Sequence, residues 1–180
     1  MVVVVTDESW SALNARCVQP FYRQMMGINA LEAAPSVLAE VAALVDTVKA
    51  DEVVYLLRSA WREQVIGAWL SLAHPYDESV LASVTQALET SHGSLTAPAL
   101  LTATIVLEAP TAATSIHSYY EADVANSWGS AGLALAAAAC LPDSPLLAPT
   151  AADKETFAAL SVIANCLKPA ADEASVSGDT

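Results

Sequence analysis

Apolar residues recur at helical spacing along most of the chain. Between residues 37 and 48 the valines and leucines fall three or four positions apart, and Glu40 and Asp46 occupy the opposite side. This spacing predicts an amphipathic helix. Similar patterns predict helices at 61–74, 78–89, 96–108, 111–125, 128–140 and 151–167. No alternating pattern typical of a strand follows residue 6, so the predicted fold class is all-α.

Prolines, glycines and capping residues separate the predicted helices. Pro20 and Gly27 enclose a short helix at 21–26, Pro35 begins the helix that contains 37–48, and another helix spans 51–58. Asp77 is placed to cap the helix at 78–89. Because the connections are short, neighbouring helices should pack antiparallel. We expect an N-terminal arm at 1–17, strand-like or disordered at Val2–Val5. One all-helical domain at 18–168 and a flexible acidic tail at 169–180 should follow.

The helical segments also carry an internal repeat. Segments that begin at Trp61, Leu95 and Trp128 start 34 and 33 residues apart, and each contains a strongly apolar helix. A period of this length is typical of helical hairpins that stack on one another. The sequence therefore predicts antiparallel hairpins in a short right-handed solenoid, with an irregular bundle as the alternative.

Composition favours a folded chain outside the membrane. Hydrophobic residues make up 54% and charged residues only 15%, the reverse of what disorder requires. With 180 residues the chain is long enough for one domain with a sizeable core. The apolar run at 128–141 is too short to cross a membrane, and the N-terminus lacks the basic region of a signal peptide. We expect a cytoplasmic protein with no membrane partner.

The charge is strongly acidic and unevenly distributed. The chain has 20 Asp and Glu against 7 Lys and Arg, and no lysine or arginine occurs between Glu63 and Asp153. Nucleic acid is not expected as a partner, because its phosphates require a basic surface. A uniformly negative surface attracts a cationic partner, so we expect a basic protein to bind. The alternative is that acidity keeps an alanine-rich protein in solution.

The richest aromatic and acidic cluster lies at residues 119–123. Tyrosines supply contact area and carboxylates supply charge complementarity, the combination that suits a lysine- or arginine-rich partner. The alternative is that one tyrosine packs in the core and the rest is ordinary surface. The residues predicted to contact a partner are Tyr119, Tyr120, Glu121, Asp123, Asp77, Glu78 and Glu89.

No motif for catalysis or cofactor binding is present. The sequence lacks GxSxG, HExxH, GxGxxG and GxxxxGK[ST]. His117 and Glu121 lie one helical turn apart near Asp123, and could bind a metal only if a second helix supplied ligands. We therefore expect no enzyme activity, metal or cofactor. Three widely spaced cysteines are expected to be buried, reduced thiols: Cys17, Cys140 and Cys166.

The tryptophans are expected to be mainly structural. Trp61 and Trp128 occupy equivalent positions in the repeat, and Trp69 lies within an apolar helix. Their size suits core packing or the stapling of hairpins. Trp10 is the exception, either an exposed anchor or a side chain that folds back onto the domain.

The segment Leu56-Leu57-Arg58-Ser59-Ala60-Trp61-Arg62-Glu63 resembles the turn of a HEAT repeat. With the following Val65-Ile66-Gly67-Ala68-Trp69-Leu70, it is similar to an uncharacterised bacterial family of short HEAT-like proteins. The resemblance covers roughly residues 18–141. It implies that Arg62 braces the hairpin by bonding turn carbonyls or an acid. It also implies an immunity or accessory role beside a secreted toxin.

Two protein-binding roles follow as hypotheses, and the alternative to both is an enzyme with a helical fold whose active-site groups would be His117, Glu121 and Asp123. The first is an immunity or inhibitor protein that masks a basic toxin or enzyme. The second is a HEAT-like regulatory adaptor or a homodimeric scaffold, in which the apolar segments 100–107 and 128–141 meet across a two-fold axis.

Overall fold

The structure, a computed structural model, describes residues 7–142 and 146–169, and this part of the chain contains no strand. The all-α prediction is confirmed. The helices are α1 (Asp7–Leu13), a π-helix (Asn14–Val18), α2 (Tyr22–Met25), α3 (Ala30–Val45), α4 (Ala50–Leu57), α5 (Trp61–Leu70), a 3-10 turn (Ser71–Ala73), α6 (Glu78–Thr90), α7 (Ala97–Val106), α8 (Ala112–Asn126), α9 (Ala131–Ala138) and α10 (Ala151–Leu167). The predictions for Val2–Val5 and for 170–180 lie outside the described residues.

Helices α4 to α9 pack in two rows. The outer row is α4, α6 and α8, in which α6 contacts both of the others. The inner row is α5, α7 and α9, in which α7 contacts both of the others. Consecutive helices pair across the rows, α4 with α5, α6 with α7 and α8 with α9. The three segments of the internal repeat supply the inner row.

A third set of helices covers the inner row. Helix α10 contacts α5, α7 and α9, and α3 contacts α10 and α5. The consequence is clearest in α7, which buries every residue from Ala97 to Thr104. A helix that is apolar on all sides is stable only when protein surrounds it. The inner row is therefore enclosed, and the outer row forms an exposed face of the protein.

Residues 7–18 are helical and packed, which differs from the arm expected at 1–17. Leu13 and Cys17 are buried, and the ring of Trp10 stacks on Tyr55 with centroids 3.4 Å apart. Trp10, Leu13 and Cys17 are spaced three and four residues apart, which is the spacing of a helical stripe. This helical stripe is present in the sequence, but the polar residues between its members make it inconspicuous.

Two helix boundaries also differ from the expected ones. Helix α3 begins at Ala30, before Pro35, because the N–H groups of Leu31, Glu32 and Ala33 already bond to carbonyls at 28 and 29. Helix α9 begins at Ala131 and not at Trp128. Ser127 (φ 56°) and Gly129 (φ 92°) adopt left-handed backbone conformations that a right-handed helix cannot include.

Gly67 lets the paired helices α4 and α5 approach closely. A Cβ at this position would lie 3.0 Å from the backbone nitrogen of Leu57 and 3.1 Å from the Cβ of Leu56. Distances this short are tighter than ordinary van der Waals contacts, so a side chain at this position would require α4 and α5 to shift by a few tenths of an ångström.

Candidate functional site

Tyr119 and Asp123 of the predicted contact cluster are buried, so the prediction is wrong for these two side chains. Tyr119 is 0% exposed and Asp123 is 1% exposed. The Tyr119 hydroxyl donates to Asp123 Oδ2 at 3.1 Å, and the Ser130 backbone N–H donates to the same oxygen at 2.9 Å. Burial and the neighbouring Asp123 carboxylate raise the pKa of Tyr119 well above its usual range. The network joins α8 to the start of α9 and offers nothing to a partner.

Tyr120 and Glu121 of the same cluster remain at the surface of α8. Tyr120 is half-buried, and the Glu121 side chain is 69% exposed. Its Oε1 lies 3.3 Å from His117 Nε2, one helical turn earlier. An exposed pair of this kind contributes little to stability, so Glu121 is available to an incoming cation.

The acidic residues predicted on α6 divide into two kinds. Asp77 is the N-cap, since its Oδ1 accepts hydrogen bonds from the N–H groups of Ser79 (2.9 Å) and Val80 (3.0 Å). This confirms the predicted cap. Glu78 and Glu89 are exposed, and the Ser115 hydroxyl of α8 donates to Glu89 Oε1 at 2.7 Å. Glu89 thus lies where the two helices of the outer row meet.

These positions form one candidate surface on the outer row. The α6–α8 acidic surface is defined by Glu78, Glu89, Tyr120 and Glu121. Within the described residues, none of its three carboxylates has a lysine or arginine nitrogen within 4.0 Å. The sequence contains no such residue from 63 to 153, so neither α6 nor α8 supplies a lysine or arginine of its own to neutralise them. Unpaired surface charges of one sign attract the opposite charge.

Arg62 stacks on two aromatic rings, an arrangement different from the expected bonds to turn carbonyls or an acid. Its guanidinium lies over the ring of Trp61 at 4.3 Å and over the ring of Tyr22 at 5.3 Å. Arg23 lies beside the same tyrosine, and its Nε donates to the Tyr22 hydroxyl at 3.0 Å, which lowers the pKa of Tyr22. Arg62 therefore contacts the start of α5 and α2 by cation–π stacking.

The remaining tryptophans have packing roles. Trp69 is 1% exposed, and its indole Nε1 donates to the Met25 carbonyl at 2.9 Å, which links α5 to α2. Trp128 is half-buried against His92, with ring centroids 4.9 Å apart, and against Tyr119 at 6.1 Å. Trp10 folds back onto the domain, so an exposed anchor is not formed there.

The cysteines differ from one another in exposure. Cys17 is buried, whereas Cys140 and Cys166 are exposed, so the expectation of three buried thiols is wrong for two of them. Burial raises the pKa of Cys17. The residue Cys140 is exposed, but its sulfur is partly buried where it donates to the Ala136 carbonyl at 3.5 Å, and this partial burial raises the pKa of Cys140 as well. A raised pKa keeps a thiol in its protonated, less nucleophilic form.

The side chains considered for catalysis or metal binding do not converge. His117 and Glu121 lie on the surface of α8, whereas Asp123 is buried in the network with Tyr119. Across residues 7–142 and 146–169, no three His, Cys, Asp or Glu side chains are grouped as a metal ion would require.

The apolar segments proposed for a homodimer are largely used inside the protein. Leu100, Leu101 and Leu107 are buried, as are Ala134 and the alanines at 136–138. Helices α7 and α9 use these residues to pack against α10 and against each other. They do not form an exposed two-fold face.

None of the helices in the described ranges combines the length and apolarity needed to span a membrane. Comparison with known proteins adds no relative, since no protein-family model, no curated protein and no solved structure matches the chain.

Proposed function

We propose that this chain is a protein-binding module of HEAT-like helical hairpins, and that its α6–α8 acidic surface binds a basic protein. In its most specific form, the proposal is an immunity or inhibitor protein that masks a basic toxin or enzyme. The observation that carries it is a set of exposed carboxylates in a half of the chain without lysine or arginine.

The packing of the helices supports the hairpin part of the proposal. The three segments of the internal repeat are α5, α7 and α9, and they contact one another in chain order in one row. Their partners α4, α6 and α8 form the second row in the same order. Stacked hairpins produce two such rows.

The third set of helices indicates which face a partner would use. Helices α3 and α10 cover the inner row, so a partner meets the outer row instead. Glu78 and Glu89 are eleven residues apart on α6, which places them on one face about 16 Å from each other. The proposed partner presents a basic surface to both of them and to Glu121 on α8, the helix that packs against α6.

Binding to the product of the adjacent gene tests the proposal. We expect the dissociation constant of this complex to rise at least tenfold between 50 and 300 mM salt. Salt screens exposed charges from one another, and the screening (Debye) length is about 10 Å at 0.1 M. The triple variant Glu78→Gln, Glu89→Gln and Glu121→Gln should weaken binding to a similar extent. Each substitution preserves the size of the side chain and removes its charge.

A matched variant on α3 controls for net charge. Glu32, Glu40 and Asp46 are exposed, and Glu32→Gln, Glu40→Gln and Asp46→Asn remove the same total charge. Binding should change less than threefold in this variant. Equal weakening by both triple variants would refute the assignment to α6–α8, and no interaction at low salt would refute an inhibitor of that neighbour.

A further inference from the structure

A polar groove lies where the ends of α4 and α6 meet the starts of α5 and α7. It consists of two adjoining depressions of about 490 Å³ and about 380 Å³ that share Gln64 and Thr90. Each volume lies in the range typical of ligand sites. Because the two depressions are continuous through shared residues, they form an elongated site. This site is named the Gln64 groove.

The charge of the Gln64 groove is opposite to that of the whole chain. The protein has 20 acidic residues, yet no carboxylate lines either depression. Arg58 lines the first depression, is exposed and has no carboxylate within 4.0 Å in the described part of the chain. Arg62 stacks on Trp61, which lines the second depression. A guanidinium in the position of Arg58 suits a carboxylate ligand.

Amide groups in the groove are free to bind a ligand. Within the described residues, the side chains of Gln64 and Gln86 make no hydrogen bond to the protein, although both line the first depression. An amide carries two donors and one acceptor, which match the N–H and C=O groups of an extended peptide. Ser91 adds a buried hydroxyl without a partner in the wall of the second depression.

The second depression provides an apolar surface. Trp61 is half-buried, and Leu95 is 45% exposed, one of the few large hydrophobic side chains left at the surface. An exposed apolar side chain beside unsatisfied polar groups is typical of recognition sites.

We propose that the Gln64 groove binds an extended peptide segment of another protein. An Asp or Glu side chain of this peptide pairs with Arg58, its backbone bonds to Gln64 and Gln86, and an apolar side chain packs on Trp61 and Leu95. A net charge of −13 repels a polyanion such as nucleic acid, whereas a single carboxylate can pair locally with Arg58. The Gln64 groove would thus bind an acidic segment, whereas the α6–α8 acidic surface would bind a basic one.

Selection from a random peptide library displayed on phage, with the full chain immobilised, tests the proposal. We expect enriched peptides to carry Asp or Glu within a few residues of an aromatic or aliphatic side chain. A synthetic copy of an enriched peptide, labelled with fluorescein, should bind at least tenfold more weakly to Arg58→Ala and to Gln64→Ala. The control Lys49→Ala removes one exposed cation outside the groove and should leave binding within twofold.

Several outcomes would overturn the proposal. They are enrichment of basic peptides, no enrichment at all, and binding that Arg58→Ala leaves unchanged in a variant with native circular dichroism. Displacement of the peptide by a twelve-residue oligothymidine would assign the groove to nucleic acid instead. Tighter peptide binding after deletion of residues 170–180 would assign it to the chain's own acidic segment. The triple variant on α6 and α8 tests the proposed function alone, so the two proposals can fail independently.

Discussion

Substitution of Asp123 tests whether its carboxylate stabilises the fold or contacts a partner. Asp123→Ala removes the acceptor for the Tyr119 hydroxyl and the Ser130 N–H, and leaves both donors buried without a partner. A hydrogen bond to a charged group contributes about 1.5–3 kcal/mol. We therefore expect a loss of about 2–5 kcal/mol in the free energy of unfolding, a large fraction of the stability of an ordinary domain.

Glu121→Ala on the same helix is the matched control. Its carboxylate is 69% exposed and contacts only His117, so the expected change in free energy is within about 0.5 kcal/mol. Urea unfolding followed by circular dichroism at 222 nm measures both variants. With an m-value of about 2 kcal/mol/M, the midpoint of Asp123→Ala should fall by about 1 M or more. Equal midpoints for the two variants would refute the structural assignment of Asp123.

A double-mutant cycle locates the effect in the hydrogen bond. Tyr119→Phe removes the donor alone, so it should cost less than Asp123→Ala, which strands two donors. Because the substitutions share one bond, the double variant should be less destabilised than the sum of the single variants, by about 0.5–3 kcal/mol. Strict additivity would show that the 3.1 Å contact contributes nothing.

Three further predictions follow from the packing and the ionisable groups. Gly67→Ala should destabilise the protein in thermal unfolding, although alanine normally stabilises a helix by about 1 kcal/mol relative to glycine; a stabilised variant would show that α4 and α5 can separate without cost. A thiol reagent should react with Cys140 and Cys166 in the native protein and with Cys17 only after unfolding. Three fast thiols would contradict the burial of Cys17. Stability should fall as pH rises above about 10, because unfolded Tyr119 then releases a proton that the folded protein retains. In Tyr119→Phe this alkaline loss, measured by urea unfolding at pH 9 and pH 11, should be smaller, and equal losses would count against the burial of the hydroxyl.

The sequence predicted the helices well wherever an apolar stripe and a clear stop signal occurred together. His74-Pro75 marks the end of one helical segment and Asp77 marks the start of the next, and the structure places both boundaries there. Prediction failed at α1 and at the start of α3, where the stop signal was misleading or absent. Pro35 indicated a helix start because proline fits a first turn, but the preceding turn had already formed.

The candidate site was only partly predictable, because sequence does not show which face of a helix is buried. Tyr119 and Tyr120 are adjacent, and adjacent residues on a helix lie about 100° apart, so one can be buried and the other exposed. The Gln64 groove was not predicted at all. Its residues come from three helices, α4, α5 and α6, and from the loop that precedes α7, and neither Gln64 nor Gln86 belongs to a motif. Only the concentration of the arginines before residue 63 could have drawn attention to this region.

Between residues 63 and 153 the aspartates and the glutamates have different roles. The described aspartates Asp77, Asp123 and Asp153 each accept a hydrogen bond from a backbone N–H at 79, 130 or 150. A short carboxylate is held close to its own main chain and so favours caps and turns. Glu78, Glu108 and Glu121 are exposed, and in the described part of the chain none of them accepts a hydrogen bond from a backbone N–H. The charge available to a partner is therefore smaller than the count of acids suggests and consists mainly of glutamate. For this reason glutamate substitutions on the α6–α8 acidic surface should weaken partner binding, whereas substitutions of these aspartates should lower the free energy of unfolding.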